Sequence, residues 1–115
     1  MSYEVICSTT NIIINSGRAA LVAGQQVAIF RIQTPQGDKY FALQNYCPFA
    51  KANVISRGIV GSLNNKLVVA SPIYKQHFCL ETGVCLEDEA VMLKTWQVLI
   101  RDNNIHVVIA DQKTA

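Results

Sequence analysis

Charged residues are scarce in this 115-residue chain, at 16% against about 25% in ordinary globular domains. Half of the residues are apolar. Part of the exterior is therefore apolar too, either as the neutral surface of a compact domain or as a face that a partner covers. Several kinds of chemistry are missing outright. There is no G-x-S-x-G, no phosphate-cradling loop ending in G-K and no G-x-G-x-x-G, which removes a nucleophile elbow and a nucleotide cradle. No basic leader precedes a long apolar run, so the sequence predicts neither export nor a membrane span, and a cytoplasmic chain. The cysteines Cys7, Cys47, Cys79 and Cys85 include no C-x-x-C pair and are expected as reduced thiols. No repeat, low-complexity tract or linker is present. The length suits a single domain over residues 1–115 that buries its own core.

A net charge of +2 argues for neither nucleic acid nor membrane. Its distribution says more. From Lys39 to Leu80 there are five basic residues (Lys39, Lys51, Arg57, Lys66, Lys75) and no acid, and then Glu81, Glu87, Asp88 and Glu89 follow closely. Such a division suits docking onto a complementary surface, and chance produces it in small proteins as well.

What the chain does have is short β-branched runs separated by turn chemistry, the pattern of an all-β domain. "YEVICS" opens it, and "GRAALVAG" and "QVAIFRIQT" are split at Gly24. "TPQGD" turns the chain into "KYFALQ", with Pro35 presetting φ and Gly37 relieving the exit. "IVGSL" and "KLVVAS" flank Asn64 and Asn65, a two-residue hairpin turn. "QHFCL" and "GVCL" flank the tight turn "ETG". "LKTWQVLIR", with Lys94, Trp96, Val98 and Ile100 on one face, pairs through "DNN" with "NIHVVIA", which puts Ile105, Val107 and Ile109 on one face. "CPFAKANVISRG" has room for a helical turn. The core spans about residues 3–109, and residues 110–115 read as a frayed tail.

Two loops share a plan. "NYCPFA" follows the strand "KYFALQ", and "ASPIYKQHF" follows "KLVVA". Each offers a small nucleophilic side chain (Cys47, Ser71), a proline (Pro48, Pro72) and an aromatic residue (Phe49, Tyr74). Proline fixes φ and holds the preceding residue extended, so both loops leave their strands in a set direction. Facing tips would make a clamp.

This layout resembles the Rieske [2Fe–2S] fold, with its C-x-H and C-x-x-H loops. Cys47 stands at the first cysteine, Phe49 at the first histidine, Ser71 at the second cysteine and Tyr74 at the second histidine. "QVAIFR", "VISRGIVG" and "VASPIYKQHFCLETGVCLEDE" are similar to the small subunit of bacterial NAD(P)H-dependent nitrite reductase. That resemblance implies a Rieske-like sandwich of antiparallel sheets with two loops at the former cluster site. It implies a large partner subunit carrying FAD, an iron–sulfur cluster and sirohaem, which reduces nitrite to ammonia. The family has members with the cluster ligands and members without them. A Rieske centre takes two thiolates and two imidazoles. Phe49 has no lone pair, Ser71 is an alcohol and Tyr74 a phenol with a pKa of about 10, so no cluster is expected on this chain. Phe49 and Tyr74 are expected to fill the vacated volume, unless Phe49 stands exposed at its loop tip.

Other readings compete. His77, Cys79 and Cys85 with Cys47 nominally offer zinc one nitrogen and three sulfurs, although their spacing is unlike a zinc knuckle and buried cysteines are commonly plain apolar groups. His106 reads as structural, and "LEDE" as a solvated acidic loop. The first functional expectation is a non-catalytic subunit that docks on the large one through its loops (Phe49, Lys51, Arg57, Ser71, Tyr74, Lys75, His77). The second is a Rieske-type ferredoxin, which needs a coloured cluster. A third, a single-strand nucleic-acid module, has only the basic zone in its favour.

Overall fold

A computed structural model describes residues 2–73 and 75–109. Tyr74 and the expected tail therefore lie outside the described residues. The strands, in chain order, are β1 (Ser2–Ser8), β2 (Ser16–Val22), β3 (Gln25–Thr34), β4 (Gly37–Gln44), β5 (Tyr46–Cys47) and β6 (Ala52–Asn53). After them come β7 (Ile59–Leu63), β8 (Lys66–Ala70), β9 (His77–Cys79), β10 (Thr95–Trp96), β11 (Val98–Arg101) and β12 (Asn104–Ile109). Among the described residues the remaining regular structure is two short 3-10 turns, at Thr9–Asn11 and Ile55–Arg57. The second is the helical turn expected in the first proline loop. The fold is all-β, as the sequence predicts, and every strand pairing is antiparallel.

Three sheets stack around two apolar clusters. Their strand orders are β1–β12–β11, β10–β4–β3–β2 and β7–β8–β9, and β5 and β6 form a small separate hairpin. The run Val27-Ala28-Ile29-Phe30 in β3 is buried at every position, which marks a strand with apolar neighbours on both faces. Alternation then divides it. Ala28, Phe30 and Ile32 join Leu43, Val69, Phe78 and Leu80 in one cluster, together with Cys47 and Ile55 from the loops. Val27 and Ile29 join Ala42, Ile105 and Val107 in the other. The four-stranded sheet is thus the middle layer.

Tight turns fall where residues tolerate positive φ. Asn64 (52°) and Asn65 (62°) join β7 to β8, and Asp102 (52°) and Asn103 (63°) join β11 to β12, as two-residue hairpins require. One expectation needs correction. "LKTWQVLIR" is not a single strand: Thr95 and Trp96 pair with β4, whereas Val98–Arg101 pairs with β12. The chain changes sheets at Gln97, which lets Trp96 and Val98 both pack on the second cluster. Ile100, placed on the same face by the sequence pattern, is left 41% exposed.

Candidate functional site at the two proline loops

The first loop is pinned from below by Asn45, which is buried. Its side-chain amide donates to Gln26 Oε1 (3.2 Å) and to the Asn53 carbonyl (3.3 Å), and its Oδ1 accepts from the Ser56 N–H at 2.7 Å. These bonds hold both ends of the β5–β6 hairpin, and so the direction of Cys47. Sequence reasoning passed over Asn45, although an amide between a strand end and Tyr-Cys-Pro is a natural loop anchor.

Both loops close in the same way. The Lys51 N–H donates to the Cys47 carbonyl at 2.7 Å, and the Lys75 N–H to the Ser71 carbonyl at 3.0 Å. In each case the lysine four residues on takes a left-handed backbone, with φ of 56° and 60°. The shared plan therefore extends from Cys-Pro and Ser-Pro to a closing lysine. The tips meet: Cys47 Sγ and Ser71 Oγ lie 3.5 Å apart, and both residues are buried. Cys47 Sγ also accepts from the Ala50 N–H at 3.5 Å.

Phe49 packs against the first apolar cluster. Its aromatic neighbour is Phe78, with ring centroids 6.1 Å apart and planes tilted by 43°. The expected partner, Tyr74, falls outside the described residues. Lys51, Arg57 and Lys75 are exposed, and no ion pair among the described residues engages them. His77 is half-buried and committed: its Nδ1 lies 2.6 Å from Glu87 Oε2, and its N–H donates to Glu87 Oε1 at 2.8 Å. Burial raises the Glu87 carboxyl, but the hydrogen bonds and charge of His77 outweigh it and hold the pKa below the ordinary value.

The nominal zinc set is not gathered. Among the described residues no three His, Cys, Asp or Glu side chains are placed to share a metal ion. Cys79 instead lines a cavity of about 330 Å³ with Lys39, Phe41, Lys66 and Thr82. Burial pushes its thiol up, yet hydrogen bonds from Thr82 and from the Glu81 backbone bring it below the usual value. Cys85 sits beside Glu87 (Sγ to Oε1, 3.7 Å), and burial pushes it up. Three of the four positions matched to Rieske ligands, Cys47, Phe49 and Ser71, lie among the described residues. Between the loop tips stand one thiol and one alcohol in mutual contact, and Phe49 brings a ring without a donor atom.

Comparisons with known proteins bear on the fold and the family. A family model for the Rieske-like [2Fe–2S] domain matches residues 2–108. The nitrite reductase (NADH) small subunit of Salmonella typhimurium is 38% identical over 105 residues, covering 91% of this chain and 95% of that one. The solution structure of the Escherichia coli protein NirD superposes with a TM-score of 0.82 at 35% identity, covering 92% of this chain and 94% of that one. A segment making up 11% of the Klebsiella oxytoca nitrite reductase [NAD(P)H] large subunit is 31% identical over 105 residues, or 91% of this chain. This chain belongs to the Rieske-like [2Fe–2S] domain family and, within it, to the small subunits of NAD(P)H-dependent nitrite reductase.

Proposed function

We propose that this chain is a docking subunit, without an iron–sulfur cluster and without chemistry of its own, that supports the large subunit of cytoplasmic nitrite reductase. The large subunit is the one the family resemblance endows with FAD, an iron–sulfur cluster and sirohaem. The observation that carries the reading is the backbone at Lys51 and Lys75. A non-glycine residue in left-handed backbone costs about 1 kcal/mol. Of the other six such residues, five are Asn or Asp, which tolerate it. Glycine would relieve both loops, whereas lysine keeps an exposed positive charge at each tip. Strain retained in this way fits a surface meant to meet acidic groups.

The contact between Cys47 and Ser71 supports the cluster-free part, because the two tips satisfy one another. A ferredoxin role would need two imidazoles and a second thiolate. The Klebsiella large subunit, which contains a segment similar to this chain, supports association: a module built into that chain has reason to lie against it. Affinity capture of the tagged chain from nitrate-grown cells should recover a large flavoprotein with sirohaem absorbance. Reversing both lysines to glutamate should weaken that association at least about tenfold. Recovery of no large subunit contradicts the proposal.

A further inference from the structure

Two of the edge strands among the described residues carry protecting features. β2 is covered by the 3-10 turn at Ile55–Arg57, close enough that a Cβ on Gly17 would meet the Ser56 carbonyl at 2.9 Å. β1 carries Glu4 and an irregular register between Val5 and Cys7. β7 has no such device. It reads Ile-Val-Gly-Ser-Leu, pairs with β8 alone among the described strands, and is exposed at every residue but Val60. It contains no charge, proline or bulge of the kind that keeps edge strands from pairing.

The ladder fixes which groups are on offer. β7 and β8 close through a two-residue turn, with Leu63 opposite Lys66, so that pair exchanges ladder bonds, as do Gly61 with Val68 and Ile59 with Ala70. The N–H and C=O groups of Val60 and Ser62 then point away from β8. Ile59, Gly61 and Leu63 share one face, and Ile59 is 77% exposed. A slot of about 170 Å³ runs along β7, bordered by all five of its residues together with Val68, Ala70 and His77. The slot opens over Gly61, where a Cβ would meet nothing within 4 Å.

We propose that β7 is a strand-addition edge for an extended segment of the large subunit, with an apolar side chain in the slot over Gly61 and acidic residues beside it. The acids follow from charge. Arg57 precedes the strand, Lys66 lies opposite its end, and Lys75 is two residues before His77, which pairs with Ala70. No acid occurs from Lys39 to Leu80, and Glu87, which reaches this end from farther along the chain, is held by His77. Ile59 at the start of β7 pairs with Ala70, the last residue of β8 before the second proline loop. Main-chain bonds would supply affinity, and the slot and the lysines would supply specificity. This rests on the docking reading above and adds where the partner binds and what form it takes.

The test uses this chain with its cognate large subunit. Gly61→Val fills the slot at a position whose backbone is not left-handed. Ser62→Pro removes one outward N–H while leaving the bonds to β8, as edge strands permit. Each should raise the Kd of the complex at least about tenfold with a melting temperature no lower than wild type for Gly61→Val. In hydrogen exchange, the Val60 and Ser62 amides should be open in the free chain and protected in the complex. If Ser62→Pro fails to fold, Gly61→Val and the exchange data decide. A complex of wild-type strength in Gly61→Val, with β7 amides still exchanging freely, overturns the β7 assignment and leaves docking intact. No complex with wild type overturns both. A dimer of this chain that protects β7 assigns the edge to a second copy and overturns the proposal.

Discussion

Asn45 does at the scale of one residue what the clamp needs. It uses both ends of its amide while buried, so the loop above it is fixed before any side chain at the tip is considered. Phe49 completes the interior beneath that loop. Its ring meets Phe78 at 6.1 Å within the first apolar cluster, and such a pair contributes roughly 0.5–1.5 kcal/mol beyond area burial. Because Phe49 is half-buried, Phe49→Ala should cost about 2 kcal/mol, less than truncating a fully buried Phe. A thermal melt should then shift down by roughly 8 °C. A melt matching wild type would mean that the ring contributes nothing to packing.

At the scale of elements, the turns carry the most specific information. Gly24 and Gly83 have nearly the same left-handed φ, 79° and 82°. A Cβ on Gly24 meets nothing within 4 Å, whereas one on Gly83 would lie 2.2 Å from the Leu93 carbonyl oxygen. Gly24→Ala should therefore cost only the conformational penalty, about 1 kcal/mol. Gly83→Ala adds a backbone clash and should cost at least about 2 kcal/mol more, read as separate urea midpoints. Equal midpoints would contradict the packing of the "ETG" turn against Leu93, just before β10. The strands and these turns were legible in the sequence because alternation and Asn or Gly at turns are local signals. "QVAIFRIQT" reads as a strand, but its burial on both faces and the two layers it separates did not show, since they depend on partners far along the chain. The sheet change at Gln97 was hidden for the same reason: Trp96 and Val98 alternate as in one strand and yet pair with different ones. Of the candidate site, both loops and Cys47, Phe49 and Ser71 were readable from their spacing. The closing bonds of Lys51 and Lys75 were not, because left-handed lysine leaves no mark in sequence.

For the whole molecule, a Rieske-like architecture encloses a contact between the Cys47 thiol and the Ser71 hydroxyl. Two loops, one following β4 and one following β8, converge at Cys47 and Ser71, and residues of the middle sheet share the first apolar cluster with Cys47. The proposed docking surface lies on the outside, at the lysines of the two loops and the β7 edge, both in the acid-free part of the chain. No helix among the described residues is long and apolar enough to cross a membrane. The measurement that bears most directly on this account is iron and acid-labile sulfide per chain, with a visible spectrum, on the small subunit purified without oxygen and separated from its partner. The account predicts a colourless protein with iron far below one atom per chain. A brown protein with about two irons and two sulfides per chain would contradict it.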